Sequence, residues 1–337
     1  MTEDELVAAI RERVAMVPAN RLMVGIGDDA AVWQPSRNNR SVITTDALVE
    51  GIHFTRDAMS AHDVGWRALA SNLSDVAAMG ACPVLATIAL GFPPDTDPAW
   101  LLASYDGIAA LAKRSHCAIA GGDLTRAPAI TFAITVVGEV RASNLKRRDG
   151  ARPGDVLALT GPLGASRAGL LLALDRPDLA ADPDLAAVLA AYRTPQPRLH
   201  EGVWLGGSRH VRAMMDTSDG LSTDLTRLCA ASGTGASLER VPVADGARRV
   251  AARTGDDPAG WALDGGEDFE LLVSVEKRGF GHLAARFRAR FGRELVPIGR
   301  MTAGPGVVDA DGRAVVSAGW DHLRETTQKG RDSGHAP

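Results

Sequence analysis

The chain opens on a helical signature. Thr2 stands three residues ahead of Glu5, the spacing of a capping box, and Leu6, Val7, Ile10 and Val14 then recur at helical intervals. A short strand is expected around Ala30–Trp33, and a β-branched run follows from Ser41 to Thr45. From His62 to Met79 the period changes, and Trp66, Leu69, Leu73 and Val76 share one face of an amphipathic helix. Pro83–Leu90 reads as a strand, Pro98–Arg114 as a helix, and Ala129–Val140 as a long strand rich in Thr, Ile and Val. This alternation predicts an α/β or α+β layering over residues 1–145.

Lys146–Gly154 is charged and turn-rich, the composition of a linker, and a second unit is expected over 146–325. Its elements read as strand Asp155–Thr160, an Ala/Leu helix ending at Leu174, helix Pro183–Tyr192, strand Val211–Met215 and helix Leu221–Ser232. Strand Phe269–Val275, the Arg-rich helix Phe280–Phe291 and strand Leu295–Ile298 complete it. The polar tail 326–337 is expected to be disordered.

A length of 337 residues agrees with two domains. Lys+Arg total 37 against 41 for Asp+Glu, a net charge of −4, which argues against a general nucleic-acid binder, because binding DNA needs a basic footprint. Cys82, Cys117 and Cys229 are far apart without a CxxC pair, so reduced thiols in the cytoplasm are expected. Glu3, Asp4 and Glu5 do not suit a secretory signal. The apolar stretch Ala77–Phe92 is broken by Gly80 and Pro83 and falls short of the roughly 20 residues that span a membrane.

Acidic residues gather at glycine-flanked turns and strand ends. They occur in Gly27-Asp28-Asp29, Thr44-Thr45-Asp46, Asn72-Leu73-Ser74-Asp75, Gly121-Gly122-Asp123, Asp216-Thr217-Ser218-Asp219-Gly220 and Gly265-Gly266-Glu267-Asp268. Singly, each is ordinary turn or cap chemistry, and Asp219 has the position of a cap for a helix starting at Leu221. As a set they fit that reading poorly. Asp46 directly follows its expected strand, and Asp75 interrupts a helix of Leu, Val and Ala, with Asn72 one turn before it. Hard oxygen donors at several turns point to Mg2+, which takes few carboxylates and completes its shell with water and substrate phosphates. No GxxxxGK[ST] loop occurs, no GxGxxG opens a helix after a strand, and the kinase HRD and DFG elements are missing. Any nucleotide would therefore have to be held by metal ions, glycine-loop amides and arginines, with Arg147 and Arg148 as candidates.

The ordered segments GIGDDAAV (Gly25–Val32), TTDALVEGIHF (Thr44–Phe54), NLSDVAAMGA (Asn72–Ala81), GGDLTR (Gly121–Arg126), GDVLALTGPLG (Gly154–Gly164), DTSDGLSTDL (Asp216–Leu225) and GGEDFELL (Gly265–Leu272) carry a resemblance. The chain resembles the thiamine-monophosphate kinases, a branch of the aminoimidazole ribonucleotide synthetase-like superfamily of ATP-using enzymes. GIHF and GGEDFELL are similar to this branch in particular. The resemblance runs from Gly25 to His322.

It implies an α/β (α+β) two-domain fold of the aminoimidazole ribonucleotide synthetase-like kind. An N-terminal ATP- and Mg-binding domain, 1–145, would pair its sheets across a homodimer, and a C-terminal α/β domain would cover 146–325. It further implies Mg2+ ligation, directly or through water, by Asp29, Thr44, Thr45, Asp46, Asp75, Asp123, Asp216 and Asp219. ATP is implied at Tyr105, Gly122, Asp123, Arg148 and Ser218, and thiamine monophosphate at His53, Glu267 and Trp320.

The implied reaction is ATP-dependent phosphorylation of thiamine monophosphate to thiamine diphosphate. The attacking oxygen belongs to a phosphate monoester, whose second pKa of about 6 leaves it largely deprotonated at pH 7. No side-chain nucleophile is then expected. The obstacle is repulsion between two phosphorylated reactants, which several Mg2+ ions would neutralise while aligning them for in-line transfer. The alternatives are another ATP-using member of the superfamily and a non-catalytic Mg-nucleotide-binding dimer. A selenophosphate-forming relative would need a reactive Cys and a Lys before Gly27, and neither occurs. A carbamoyl-dehydrating maturation factor would end in a cysteine, whereas this sequence ends His335-Ala336-Pro337.

Overall fold

The computed structural model describes residues 1–15 and 21–320, and the tail 326–337 lies outside the described residues. By contact the described residues divide into two units, Met1–Val76 with Cys82–Ala142, and Ala77–Ala81 with residues 143–320.

The first unit begins with α1 (Glu3–Val14), where the capping box closes. The Thr2 amide donates to Glu5 Oε2 at 2.8 Å and the Glu5 amide to Thr2 Oγ1 at 3.2 Å. β1 (Leu22–Val24) and β2 (Val32–Trp33) pair as an antiparallel ribbon. The main sheet holds β3 (Asn39–Val49), β4 (Cys82–Phe92), β5 (Ala118–Arg126) and β6 (Thr131–Arg141) in the order β3-β6-β4-β5. Only β4 and β5 run parallel. Alternation sorts the side chains: Ile88, Leu90, Phe132, Ile134 and Val136 are buried, while Thr87, Ala89, Ala133 and Thr135 point to a more open face. α2 (Ala61–Ala78) and α3 (Pro98–Ser115) cross at Gly65 and Gly107. A Cβ there would sit 1.8 Å from the Ser104 carbonyl oxygen and 1.9 Å from that of His62, so any side chain would part the helices.

The second unit is built on β7 (Val156–Leu159), β8 (Val211–Asp216), β9 (Gly235–Leu238), β10 (Leu271–Val275), β11 (Val296–Thr302) and β12 (Gly306–Asp309). Their order is β12-β9-β11-β7-β10-β8, antiparallel except for β12 on β9. The helices are α4 (Ala165–Leu174), α5 (Pro177–Ala180), α6 (Ala186–Arg193), α7 (Leu199–Gly206), α8 (Leu221–Ser232), α9 (Asp245–Thr254), α10 (Pro258–Asp264) and α11 (Lys277–Phe291). Every residue of β10 is buried, and its alternate side chains feed two cores. Leu272 joins Leu157, Leu159 and Met215 under Leu172, Leu225 and Val250 of α4, α8 and α9. Leu271, Val273 and Val275 join Met214 under Leu205, Leu283 and Phe287 of α7 and α11. Helices thus cover both sheet faces, a mixed α/β layering.

Several local expectations change. Gly121-Gly122-Asp123 is not a turn but the middle of β5, and glycine serves close approach there: a Cβ on Gly122 would lie 2.0 Å from the Ile88 carbonyl oxygen of β4. The run Ser41–Thr45 continues to Val49, so Asp46 lies within a strand, because pairing with Ile134 outweighs the poor β-propensity of Asp. The strand expected from Phe269 starts at Leu271, since Phe269 holds φ 50°, outside the extended region. Pro183–Tyr192 splits into a 3-10 turn at Pro183–Leu185 followed by α6.

Candidate active site

In the first unit, Thr44 and Asp75 meet. Thr44 of β3 donates from Oγ1 to Asp75 Oδ2 of α2 at 2.5 Å. Asp46, two residues along, is exposed and falls on the same side of β3 by the strand period. Thr45 points the other way: its Oγ1 donates to the Ile134 carbonyl and accepts from Thr135 Oγ1, both at 3.1 Å. The side chains of Thr44 and Thr45 therefore do not converge on one ion. Asp29 is exposed in the β1–β2 turn, its amide bonded to Asp28 Oδ1 at 2.8 Å.

Asp123 is exposed on β5 opposite Ala89. The register Asp46–Ile134–Ile88–Gly122 puts Asp46 in the row of Gly122, so Asp46 and Asp123 occupy opposite edges and opposite faces of the sheet. Three strand spacings separate them by roughly 14 Å, too far to share an ion within one chain. His53 Nδ1 accepts the Val49 amide at 3.0 Å, which puts the proton of the neutral ring on Nε2. Tyr105 is buried on α3, and burial pushes its hydroxyl above the usual tyrosine range.

The second unit gathers more of the expected residues. Asp216 ends β8, and the chain turns through Thr217–Gly220 into α8. The backbone of this turn is bonded to protein. The Thr217 amide donates to the Glu270 carbonyl at 2.8 Å, and the Phe269 amide to the Thr217 carbonyl at 3.0 Å. The Glu267 amide donates to the Ser218 carbonyl at 2.7 Å, and the Trp320 amide to the Asp219 carbonyl at 3.0 Å. Asp224 Oδ2 accepts the amides of Ser218 at 3.0 Å and Asp219 at 3.1 Å. Glu267 and Trp320 are thus backbone neighbours of Ser218 and Asp219. Gly319 permits this, since a Cβ on it would lie 1.8 Å from the Asp219 carbonyl oxygen.

Two corrections follow from these bonds. Asp219 does not cap α8, whose N-cap is Gly220 without a side-chain bond. The amides of Thr217, Ser218 and Asp219 donate to Glu270 and Asp224 and so are not among the glycine-loop amides that could hold a nucleotide, while Asp216 is buried and Asp219 Oδ2 accepts from Arg227.

The neighbouring segment is strained and braced. Glu267 at φ 56° and Phe269 at φ 50° are left-handed, at about 1–2 kcal/mol each. Such strain persists only where surrounding bonds enforce it. Between them, Asp268 accepts the Gly164 amide at 2.7 Å and the Ser166 amide at 3.0 Å, and burial raises it to about 7 despite those donors. Burial, and then the nearby Asp219 charge, push Asp224 up to about 7 as well. Glu270 goes the other way. Burial alone would raise it, but Arg198 at 2.7 and 3.0 Å and Arg293 at 2.5 Å hold it below the usual carboxylate range. Arg148 is exposed, and its carbonyl accepts from Ser232 Oγ at 2.8 Å.

Sequence reasoning missed Asp224, Asp268 and Gly319 as organisers. Two signals were present: Asp224 stands in the DTSDGLSTDL segment, in the first turn of a helix where an acid is favoured, and Asp268 stands in the GGEDFELL segment.

The expected metal ligands are all oxygen donors, the kind Mg2+ prefers. Among the described residues, no group of three or more His, Cys, Asp or Glu gathers to hold a metal. An ion here would be bound by one or two carboxylates, with water and phosphate oxygens completing its shell, as suits Mg2+ better than Ca2+. Thr44 Oγ1 and Asp75 Oδ2 are donors of that kind.

The N-terminal domain model of AIR synthase related proteins matches residues 27–140, and the corresponding C-terminal domain model matches residues 152–310. Fold and site thus define a two-domain protein of the AIR synthase related class. A thiamine-monophosphate kinase of Synechococcus elongatus is 39% identical over 259 residues, covering 74% of this chain and 76% of that relative. The crystal structure of thiamine-monophosphate kinase from Stenotrophomonas maltophilia K279a is similar at a TM-score of 0.81 and 35% identity, over 93% of this chain and 98% of that one. AaThiL, complexed with AMPPCP and TMP, is similar at a TM-score of 0.76 and 30% identity, over 95% and 97%. The chain belongs to the thiamine-monophosphate kinase family. No described helix is long and apolar enough to cross a membrane.

Proposed function

We propose that this chain transfers the γ-phosphoryl group of ATP to thiamine monophosphate, giving thiamine diphosphate and ADP, as a cytoplasmic homodimer. One observation carries the reading: the Glu267 and Trp320 amides bond to the Ser218 and Asp219 carbonyls. Residues assigned to the acceptor are then one hydrogen bond from Ser218, assigned to the nucleotide, and from Asp219, assigned to the metal, which suits holding two phosphates side by side for transfer. The family relation and the relative complexed with AMPPCP and TMP support it.

Ser218, Gly122, Asp123 and Arg148 are assigned to ATP, with Tyr105 as a buried support. Glu267 is assigned to the cationic ring of thiamine monophosphate, Trp320 to stacking on a ring, and His53 to positioning the same substrate. Mg2+ held at Asp29, Thr44, Asp46, Asp75, Asp123, Asp216 and Asp219 would supply the positive charge that lets two phosphates approach. Thr45 serves this set by bracing β3 on β6 with its side chain. The acceptor oxygen is already ionised near neutral pH, so no side chain is assigned as base or nucleophile. The dimer is proposed because Asp46 and Asp123 lie on opposite edges of one sheet, so a site using both draws on two copies.

Incubation with ATP, Mg2+ and thiamine monophosphate is expected to yield thiamine diphosphate and ADP in equal amounts by chromatography. ATP turnover only with formylglycinamidine ribonucleotide or selenide would contradict the reading.

A further inference from the structure

The turn from Asp216 to Gly220 carries a cation of its own. Arg227 of α8 donates from Nη1 to Asp219 Oδ2, and the same nitrogen reaches Asp224 Oδ1 at 3.3 Å. The three side chains differ in freedom: Asp224 is fully buried, Asp219 is 28% exposed and Arg227 is 44% exposed. Asp224 is fixed, because its other oxygen accepts the Ser218 and Asp219 amides. Two carboxylates this close repel one another, and the guanidinium between them offsets that repulsion.

We propose that Arg227 is a stand-in cation, which holds Asp219 in the metal-free turn and yields it when a divalent ion arrives. This rests on the reading of Asp219 as a metal ligand. An ion on Asp219 Oδ2 and a guanidinium donating to that same oxygen compete for the same lone pairs, and the two cations repel at short range. The half-exposed arginine can withdraw toward solvent on its flexible stem without disturbing the core. Asp224 keeps the amides of Ser218 and Asp219 in place throughout, so the backbone stays set while one cation replaces another. Arg227 is a positioning residue on this reading: it keeps the empty turn in shape and sets the ion concentration at which the turn loads.

The test uses the full chain and Mn2+ alone, without nucleotide, with free Mn2+ read by electron paramagnetic resonance. Arg227→Met and Arg227→Gln both remove the charge and keep part of the stem. Asp219→Asn identifies the ion in question as the one whose binding it abolishes. Each Arg227 variant is expected to bind that ion about fivefold more tightly than the parent, the scale of losing one partly exposed competing ion pair. A merely structural arginine would weaken binding when removed.

Melting adds a second readout. Without Mn2+ both variants should melt below the parent, and saturating Mn2+ should restore most of the difference. Equal or weaker binding in both variants, with the Asp219-dependent ion still present in the parent, overturns the stand-in role and leaves the metal reading intact. A parent without any Asp219-dependent ion overturns both. A melting deficit that Mn2+ does not restore also counts against the stand-in role.

Discussion

In the first unit, Asp46 and Asp123 stand exposed on β3 and β5, the two edge strands of its sheet. In the second, Asp216 ends β8 and Asp219 lies on the turn after it, which is bonded to Asp224, Glu267, Phe269, Glu270 and Trp320. A strand aims side chains through its ladder, so direction costs nothing extra, but only alternate residues share a face. An irregular turn can bring any residue to a point, provided other residues satisfy its backbone. The two halves are therefore fragile at different points. In the first unit the acidic group itself should matter most, and in the second its supports should matter nearly as much.

The largest effects are expected from the first unit's acids. Asp46→Asn and Asp75→Asn should each lower turnover by at least about 100-fold, the scale of losing one electrostatic stabiliser of a transition state. Their melting temperatures should stay close to the parent's. Activity within a few-fold of the parent at modest Mg2+ would mean that the acids are misassigned.

Next comes a pair of glycines that sets strand against turn. Gly319→Ala drives a methyl group into the Asp219 carbonyl oxygen and should cost about 10–100-fold in kcat/KM, because it shifts Trp320 and Asp219 together. Gly121→Ala on β5 meets nothing within 4 Å and should leave kcat/KM nearly unchanged. Equal sensitivity at both positions would erase the contrast between the units. A smaller effect is expected at His53. His53→Asn should raise the KM for thiamine monophosphate while kcat stays near the parent value, and a loss confined to kcat would contradict its assignment to the acceptor.

The smallest effect is a pH slope. Asp268 is raised from 3.8 to about 7, so across that interval the folded chain holds a proton that the unfolded chain has lost. Stability from this group therefore falls as pH rises from about 4 to 7. Asp224, also near 7, adds a slope of the same sign. Melting followed by circular dichroism should show a shallower decline over that interval in Asp268→Asn, and an unchanged slope would contradict the raised value.

Much of this architecture was legible in the sequence where the signal is local. Helix α8 has the bounds its pattern predicts, Leu221–Ser232, and the Thr2–Glu5 box closes as its spacing requires. The acidic motifs could be picked out because residue type carries their chemistry. Their supports could not, because the partners are remote. The Thr217 carbonyl is bonded by Phe269, and the Asp219 carbonyl by Trp320 about a hundred residues away in sequence. Gly122 misled for a different reason: glycine serves a turn and a close strand approach equally well, and only the Ile88 carbonyl beside it distinguishes them. The left-handed Glu267 and Phe269 carry no mark in their side chains at all.

Direct transfer between two charged reactants, with no side chain carrying the phosphoryl group, is read most plainly from stereochemistry at phosphorus. ATP with a chirally labelled γ-phosphate, turned over with thiamine monophosphate, should give thiamine diphosphate inverted at the transferred phosphorus, as a single in-line displacement requires. Retention of configuration, together with a phosphohistidine trapped at His53, would contradict it.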